Sequence, residues 1–205
     1  MKKLFAFDLD GVLIDSLPNM KMSWEIVKLE HKIDVPFSEY EKHIGKPFYN
    51  ILNELDINHN RSQIKETYDE ASNLALDEVK IYPNAIRVLQ ELKDRGCKIA
   101  ICTSKDINRV KNVIGSLILD GEKFPKFDYV CSPKQGLRGK PAPDQLLYTM
   151  AFCNVDPSDT VYVGDMDTDR QCAERAGVDF IHAEYGYGRC EVSVKSIKTL
   201  ISLLD

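Results

Sequence analysis

From residue 81 onward, short apolar runs alternate with stretches of helical periodicity, and few folds accept that alternation. Runs that are apolar on both faces belong to a parallel sheet covered by helices on both sides. Strands are predicted over Lys3–Leu9, Lys98–Thr103, Tyr129–Cys131, Thr160–Gly164 and Asp179–His182. Helices are predicted over Asn84–Arg95, Ile107–Leu117, Pro143–Asn154, Thr168–Ala176 and Val192–Leu204. Gly96 and Gly177 stand just past two of these helices, where glycine ends a helix readily. The fold class expected is α/β, a doubly wound parallel sheet.

Residues 17–80 interrupt the rhythm. No strand pattern is evident there, while Ile64, Tyr68, Ala71, Leu74 and Ala75 recur at helical spacing. Pro18, Pro36, Pro47 and Pro83 punctuate the stretch. A helical insertion is therefore expected over 17–80, hinged near Ser16–Pro18 and Ile81–Pro83, in a core made of 1–16 and 81–205. Inside it, Gly45 is expected to stop a helix near Ile44 and Pro47 to begin the next. Lys46 would then sit on a short, stiff turn.

Composition narrows the function classes. With 43% hydrophobic and 29% charged residues, the chain is an ordinary globular one that can bury a core. A formal net charge of -5 is a poor footprint for nucleic acid. No apolar run reaches the length of a membrane span. The opening Lys2-Lys3 and the apolar residues after it resemble a secretion signal only until Asp8 and Asp10, so a cytoplasmic location is expected. The six cysteines form no C-x-x-C pair and are expected to be core thiols.

In an open parallel sheet, ligands bind beyond the carboxyl ends of the strands. There the sequence places Asp8 and Asp10, then Thr103 and Ser104, then Asp165, Asp167 and Asp169, with Lys140 ahead of a helix. A buried strand gains nothing by running into carboxylates unless a cation or a reaction uses them. Asp165-x-Asp167-x-Asp169 could open a calcium loop, but Arg170 occupies the glycine position and Ala176 the bidentate acid position. Thr168 is expected to cap the helix that follows it.

Asp8-Leu9-Asp10-Gly11, Cys102-Thr103-Ser104, Gly139-Lys140-Pro141 and Gly164-Asp165-x-x-x-Asp169 resemble, in order, the four motifs of the haloacid dehalogenase superfamily. The resemblance implies a Rossmann-like core with a helical cap inserted after the first strand. It makes Asp8 the nucleophile that forms an aspartyl-phosphate, and Asp10 the general acid and base. It places Mg²⁺ on the Asp8 and Asp165 carboxylates and the Asp10 carbonyl, with Asp169 orienting its neighbours beside Lys140. Thr103, Ser104 and Lys140 would hold the phosphoryl oxygens.

Asp10 separates the chain from the hydrolytic dehalogenases, which resemble this core without an acid at that position. Mutases similar to β-phosphoglucomutase carry a histidine in the first cap helix; Asp15-Ser16-Leu17-Pro18-Asn19-Met20-Lys21 has none. Ser16-x-Pro18 instead resembles the phosphoglycolate phosphatase branch. A Mg²⁺-dependent phosphatase of a small organic-acid or sugar phosphate is expected, with no nucleic-acid or membrane partner. The alternatives are a phosphomutase and a non-catalytic binder of a phosphorylated ligand; the oligomeric state stays open. Lys46 lies in a stretch that resembles the cap loop reaching over the active site in related enzymes, and is the candidate for substrate contact there.

Overall fold

A computed structural model of the chain describes residues 2–190 and 194–204. Six strands form one parallel sheet: β1 (Leu4–Phe7), β4 (Lys98–Cys102), β5 (Tyr129–Cys131), β6 (Thr160–Gly164), β7 (Asp179–Ala183) and β8 (Lys195–Ile197). Their order, β5-β4-β1-β6-β7-β8, puts β1 between β4 and β6. The chain reverses its direction of travel across the sheet there, which opens a crevice at the carboxyl end of β1.

Side chains of β1 alternate between two cores, as the period of a strand requires. Phe7 packs with Leu89 of α5 (Ala85–Asp94) and Val110 of α6 (Ile107–Ser116). Leu4 and Ala6 face Leu146 and Met150 of α7 (Asp144–Cys153) and Cys172 of α8 (Asp167–Ala176). Five of the six cysteines are buried; Cys190 is half-buried. No helix among the described residues is long and apolar enough to cross a membrane.

Residues 17–80 hold α1 (Leu17–His31), α2 (Phe37–Glu41), α3 (Phe48–Glu54) and α4 (Arg61–Leu74). These helices bury a cluster of their own around Trp24, Tyr40, Leu52 and Tyr68. The chain enters and leaves this unit through an antiparallel ribbon, in which β2 (Ile14–Asp15) pairs with β3 (Lys80–Ile81). Strands of two residues carry no periodicity, so the ribbon is invisible to pattern reading.

Other departures have local causes. The helix expected over Val192–Leu204 is replaced by β8 and a single 3-10 turn, Leu200–Leu203; Val192 itself lies outside the described residues. Ile197, Leu200, Ile201 and Leu204 do recur at helical spacing, but the open edge of β7 captures 195–197 as a strand. In the insertion, the helix expected to reach Ile44 stops at Glu41, and turns carry the chain to Gly45. Pro47 precedes α3 as its N-cap residue.

Candidate active site

Asp8 follows β1, Thr103 follows β4 and Asp165 follows β6, so three strand ends deliver polar groups to the crevice. Lys140 arrives from the loop before α7, and Asp169 from the first turn of α8. All five side chains are buried. The Asp8 amide donates to the Val163 carbonyl at 2.9 Å, which keeps the residue in line with the sheet. Its Oδ1 accepts from the Leu9 amide at 2.8 Å and lies 3.1 Å from Lys140 Nζ.

Asp169 holds the lysine from the other side, with Oδ1 2.7 Å from Nζ. The same oxygen accepts from the Tyr162 hydroxyl at 3.0 Å, and Oδ2 accepts from the Met166 amide at 3.1 Å. Asp169 therefore caps α8 as well, with Met166 as the N-cap residue. The Thr168 hydroxyl does not cap it: Oγ1 is buried with no hydrogen-bond partner among the described residues. Asp167 points elsewhere, to Arg170 and Gln171, so the calcium-loop alternation is not used.

Asp165 Oδ2 accepts from the Tyr187 amide at 2.7 Å, while Oδ1 is buried without a partner. Oxygens of Asp8, Asp165 and Asp169 lie within 4.8 Å of one another. Lys140 touches only two of these three carboxylates, Asp8 and Asp169. Burial, and then Asp169 and Asp8, push the Asp165 carboxyl well above the usual range. Burial outweighs the pull of Lys140 at Asp8, and with Asp169 and Asp10 pushes that carboxyl up to about 7. Burial opposes the charge on Lys140, but Asp169 and Asp8 more than restore it. An orphaned buried oxygen in an all-oxygen, excess-negative cluster fits a hard divalent cation.

Gly11 makes the approach of the two acidic segments possible. Its φ is +80°, and a Cβ there would lie 2.3 Å from Asp165 Oδ2. Gly11→Ala is expected to destabilise the fold by about 1–3 kcal/mol from the backbone alone. The collision should also displace Asp165, so thermal melts should show a smaller metal-induced rise in Tm than in the wild type.

Asp10 turns away from this cluster. Its Oδ1 lies 2.8 Å from Lys105 Nζ and accepts a hydrogen bond from the Ser16 hydroxyl. Burial raises its pKa, but Lys105, Ser16 and Arg109 together hold it below the ordinary carboxylate value. Lys105 is buried, and sequence reasoning missed it. The carboxyl-end rule could have selected it, two residues beyond Thr103, but a lysine in a polar loop reads as solvated. Tyr187 was missed too: besides its amide bond to Asp165, its hydroxyl accepts from the Ser16 amide at 2.6 Å.

The helical unit roofs the crevice and leaves a cavity of about 200 Å³ lined by both parts. Thr103 lines it, with Oγ1 accepting from the Lys105 amide at 3.2 Å. The Ser104 hydroxyl donates instead to the Gly45 carbonyl at 2.6 Å, tying the roof to the core. Gly45 adopts φ +94°, and a Cβ there would lie 3.2 Å from both Met166 Cγ and Thr168 Oγ1. Lys46 lines the cavity, with its Nζ 2.6 Å from Glu54 Oε1.

Residues 5–183 match the family model described as haloacid dehalogenase-like hydrolase. A phosphoglycolate phosphatase of Aquifex aeolicus is 27% identical over 214 aligned residues, covering 99% of this chain and 97% of its own. One of Caulobacter vibrioides is 26% identical over 191, covering 89% and 79%. Among solved structures, a mutant of CbbY from Rhodobacter sphaeroides in complex with xylulose-(1,5)bisphosphate is similar at TM-score 0.86 and 17% identity. That likeness covers 99% of this chain and 96% of the other. With the match spanning the sheet from β1 to β7, the chain belongs to the haloacid dehalogenase-like hydrolases.

Proposed function

We propose that the protein is a Mg²⁺-dependent phosphatase that hydrolyses a small phosphorylated metabolite through an aspartyl-phosphate on Asp8. The observation that carries this is the cluster of Asp8, Lys140, Asp169 and the unpartnered Asp165 Oδ1 at the carboxyl edge of the sheet. The similarity to phosphoglycolate phosphatases supports a phosphorylated organic acid within the wider class of organic-acid and sugar phosphates. Residues 17–80 serve as the cap, joined to the core (1–16 and 81–205) by the β2–β3 ribbon. Six unpaired thiols accord with a reducing, cytoplasmic setting.

In this reading an Asp8 oxygen attacks phosphorus as the bond to the leaving oxygen breaks. Thr103, the loop after it and Lys140 hold the phosphoryl oxygens, and Asp169 keeps Lys140 in place. The Asp8 and Asp165 carboxylates and the Asp10 carbonyl would hold Mg²⁺, which supplies counter-charge for the incoming dianion. Asp10 protonates the leaving alkoxide; a water then attacks phosphorus, Asp10 takes its proton, and Asp8 is freed. The depressed pKa of Asp10 suits the second step, and a phosphoryl dianion arriving beside it favours the protonated form the first step needs.

Phosphate release from a panel of phosphorylated metabolites tests the reading directly, and turnover of none of them would overturn it. Asp10→Asn is expected to lower kcat for an alkyl phosphate by about 10²–10⁴-fold, the usual worth of a placed acid. p-Nitrophenyl phosphate, whose leaving group needs no proton, should lose far less. Equal losses on both esters would take the acid role away from Asp10.

A further inference from the structure

Four cationic side chains line the cavity beside Asp8: Lys46, Lys65, Lys105 and Arg109. Each lysine already faces a carboxylate. Lys46 Nζ is 2.6 Å from Glu54, Lys105 Nζ is 2.8 Å from Asp10, and Lys65 bonds Asp69. Arg109 stands apart. The carboxylate nearest it is Asp69, the one Lys65 holds, and Nε is 3.8 Å away.

Arg109 is nevertheless held firmly. Nη2 donates to Ser72 Oγ at 2.8 Å, and the guanidinium lies 4.8 Å from the centroid of the Tyr68 ring. Its side chain is 12% exposed, so the fork is largely out of water. A guanidinium carries five N–H donors, and desolvating it is costly unless those donors find acceptors. One is placed on Ser72, and because Arg109 lines the cavity, donors not so used can meet an occupant there.

We propose that Arg109 is the specificity-determining residue of this site and binds a carboxylate at the end of the substrate remote from its phosphoryl group. The proposal rests on the phosphatase reading above. A planar fork matches a carboxylate with two parallel hydrogen bonds, which an ammonium such as Lys46 cannot do. The cavity of about 200 Å³ favours a short acid, since sites for drug-sized ligands run to about 300–1,000 Å³. Asp10, which Lys105 and Ser16 hold, is left to the leaving oxygen between the two anionic ends. Because Arg109 comes from α6 of the core and not from the cap loop, the specificity group stays fixed relative to Asp8.

The probes are 2-phosphoglycolate and 2-hydroxyethyl phosphate, which differ in a carboxylate against a hydroxymethyl group, with Mg²⁺ and the full chain. The wild type should prefer the acid in kcat/KM. Arg109→Gln should erode that preference by about 10- to 100-fold, the range for losing a charge-assisted pair. Arg109→Lys keeps the charge but not the fork, so it should fall between and guard against a folding defect. Lys46→Ala should shift the preference less than Arg109→Gln does.

An Arg109→Gln protein that slows on both esters equally would assign the residue to cap packing and overturn the proposal, as would a wild type without preference. If the wild type hydrolyses neither ester, the panel of phosphorylated metabolites tests the phosphatase reading, and calorimetric titration with 2-phosphoglycolate decides the carboxylate site separately. Binding weakened about tenfold or more in Arg109→Gln sustains the carboxylate site; equal binding removes it.

Discussion

An Asp8→Asn protein is expected to release phosphate from any monoester about 10⁴-fold more slowly than the wild type, or not at all, because an amide cannot replace the attacking carboxylate. No phosphorylated enzyme should accumulate on the variant, which mass spectrometry after a quench can check. Stability should respond in the opposite sense. Asp8 is buried with its carboxyl pushed up to about 7, well above the value of 3.8 for a free aspartate. A folded-state pKa above the unfolded one gives stability that is complete below the unfolded value and lost as pH rises through the folded one. Metal-free wild type should therefore weaken between about pH 4 and 7, by a few kcal/mol at about 1.4 kcal/mol per unit. The share due to Asp8 vanishes in the asparagine variant, so chelator-treated samples melted at pH 5 and pH 8 should differ less for Asp8→Asn. A variant with full phosphatase activity would remove Asp8 from the chemistry.

Chelation of divalent cations should abolish turnover, and Mg²⁺ should restore it. A phosphoryl dianion brought within 4 Å of one carboxylate meets a repulsion of about 8 kcal/mol at an effective dielectric of 20. Lys140 is the only ammonium in contact with Asp8 among the described residues, and it is shared with Asp169. One shared charge is too little. The orphaned Asp165 Oδ1 is where further positive charge fits. Calcium should substitute poorly, because its longer and looser coordination would misplace Asp8. Mg²⁺ should also raise Tm, by about 2.7 kcal/mol of added stability at a hundred times its Kd. Phosphate release undiminished in excess chelator would defeat this account of the cluster.

The core strands and the residues at their ends were legible in the sequence because both are local properties. Each buried strand of a parallel sheet must be apolar over its own length, and the polar residue that ends it stands beside the next strand's end. Phe5-Ala6-Phe7 running into Asp8, and Val161-Tyr162-Val163-Gly164 running into Asp165, carry that information without knowledge of any partner. The helical character of 17–80 was legible for the same reason: α4 repeats Ile64, Tyr68 and Ala71 on one face whatever it packs against.

What tertiary structure alone decided are the choices between partners. Ile197, Leu200, Ile201 and Leu204 satisfy a helix as well as a sheet edge, and the free edge of β7, fifteen or so residues upstream, settles it. Asp169 and Thr168 are both able to cap α8; Asp169 does so because Lys140 and Tyr162 already fix its carboxylate. Lys46, Lys105 and Arg109 are alike in sequence as cations in or beside loops. Glu54 takes the first and Asp10 the second, while the third meets only a distant, occupied Asp69. Charge pairing depends on distances between segments remote in the chain, and the energy of burying an ion depends on what faces it. Neither quantity exists until the sheet and the helices of residues 17–80 have packed together.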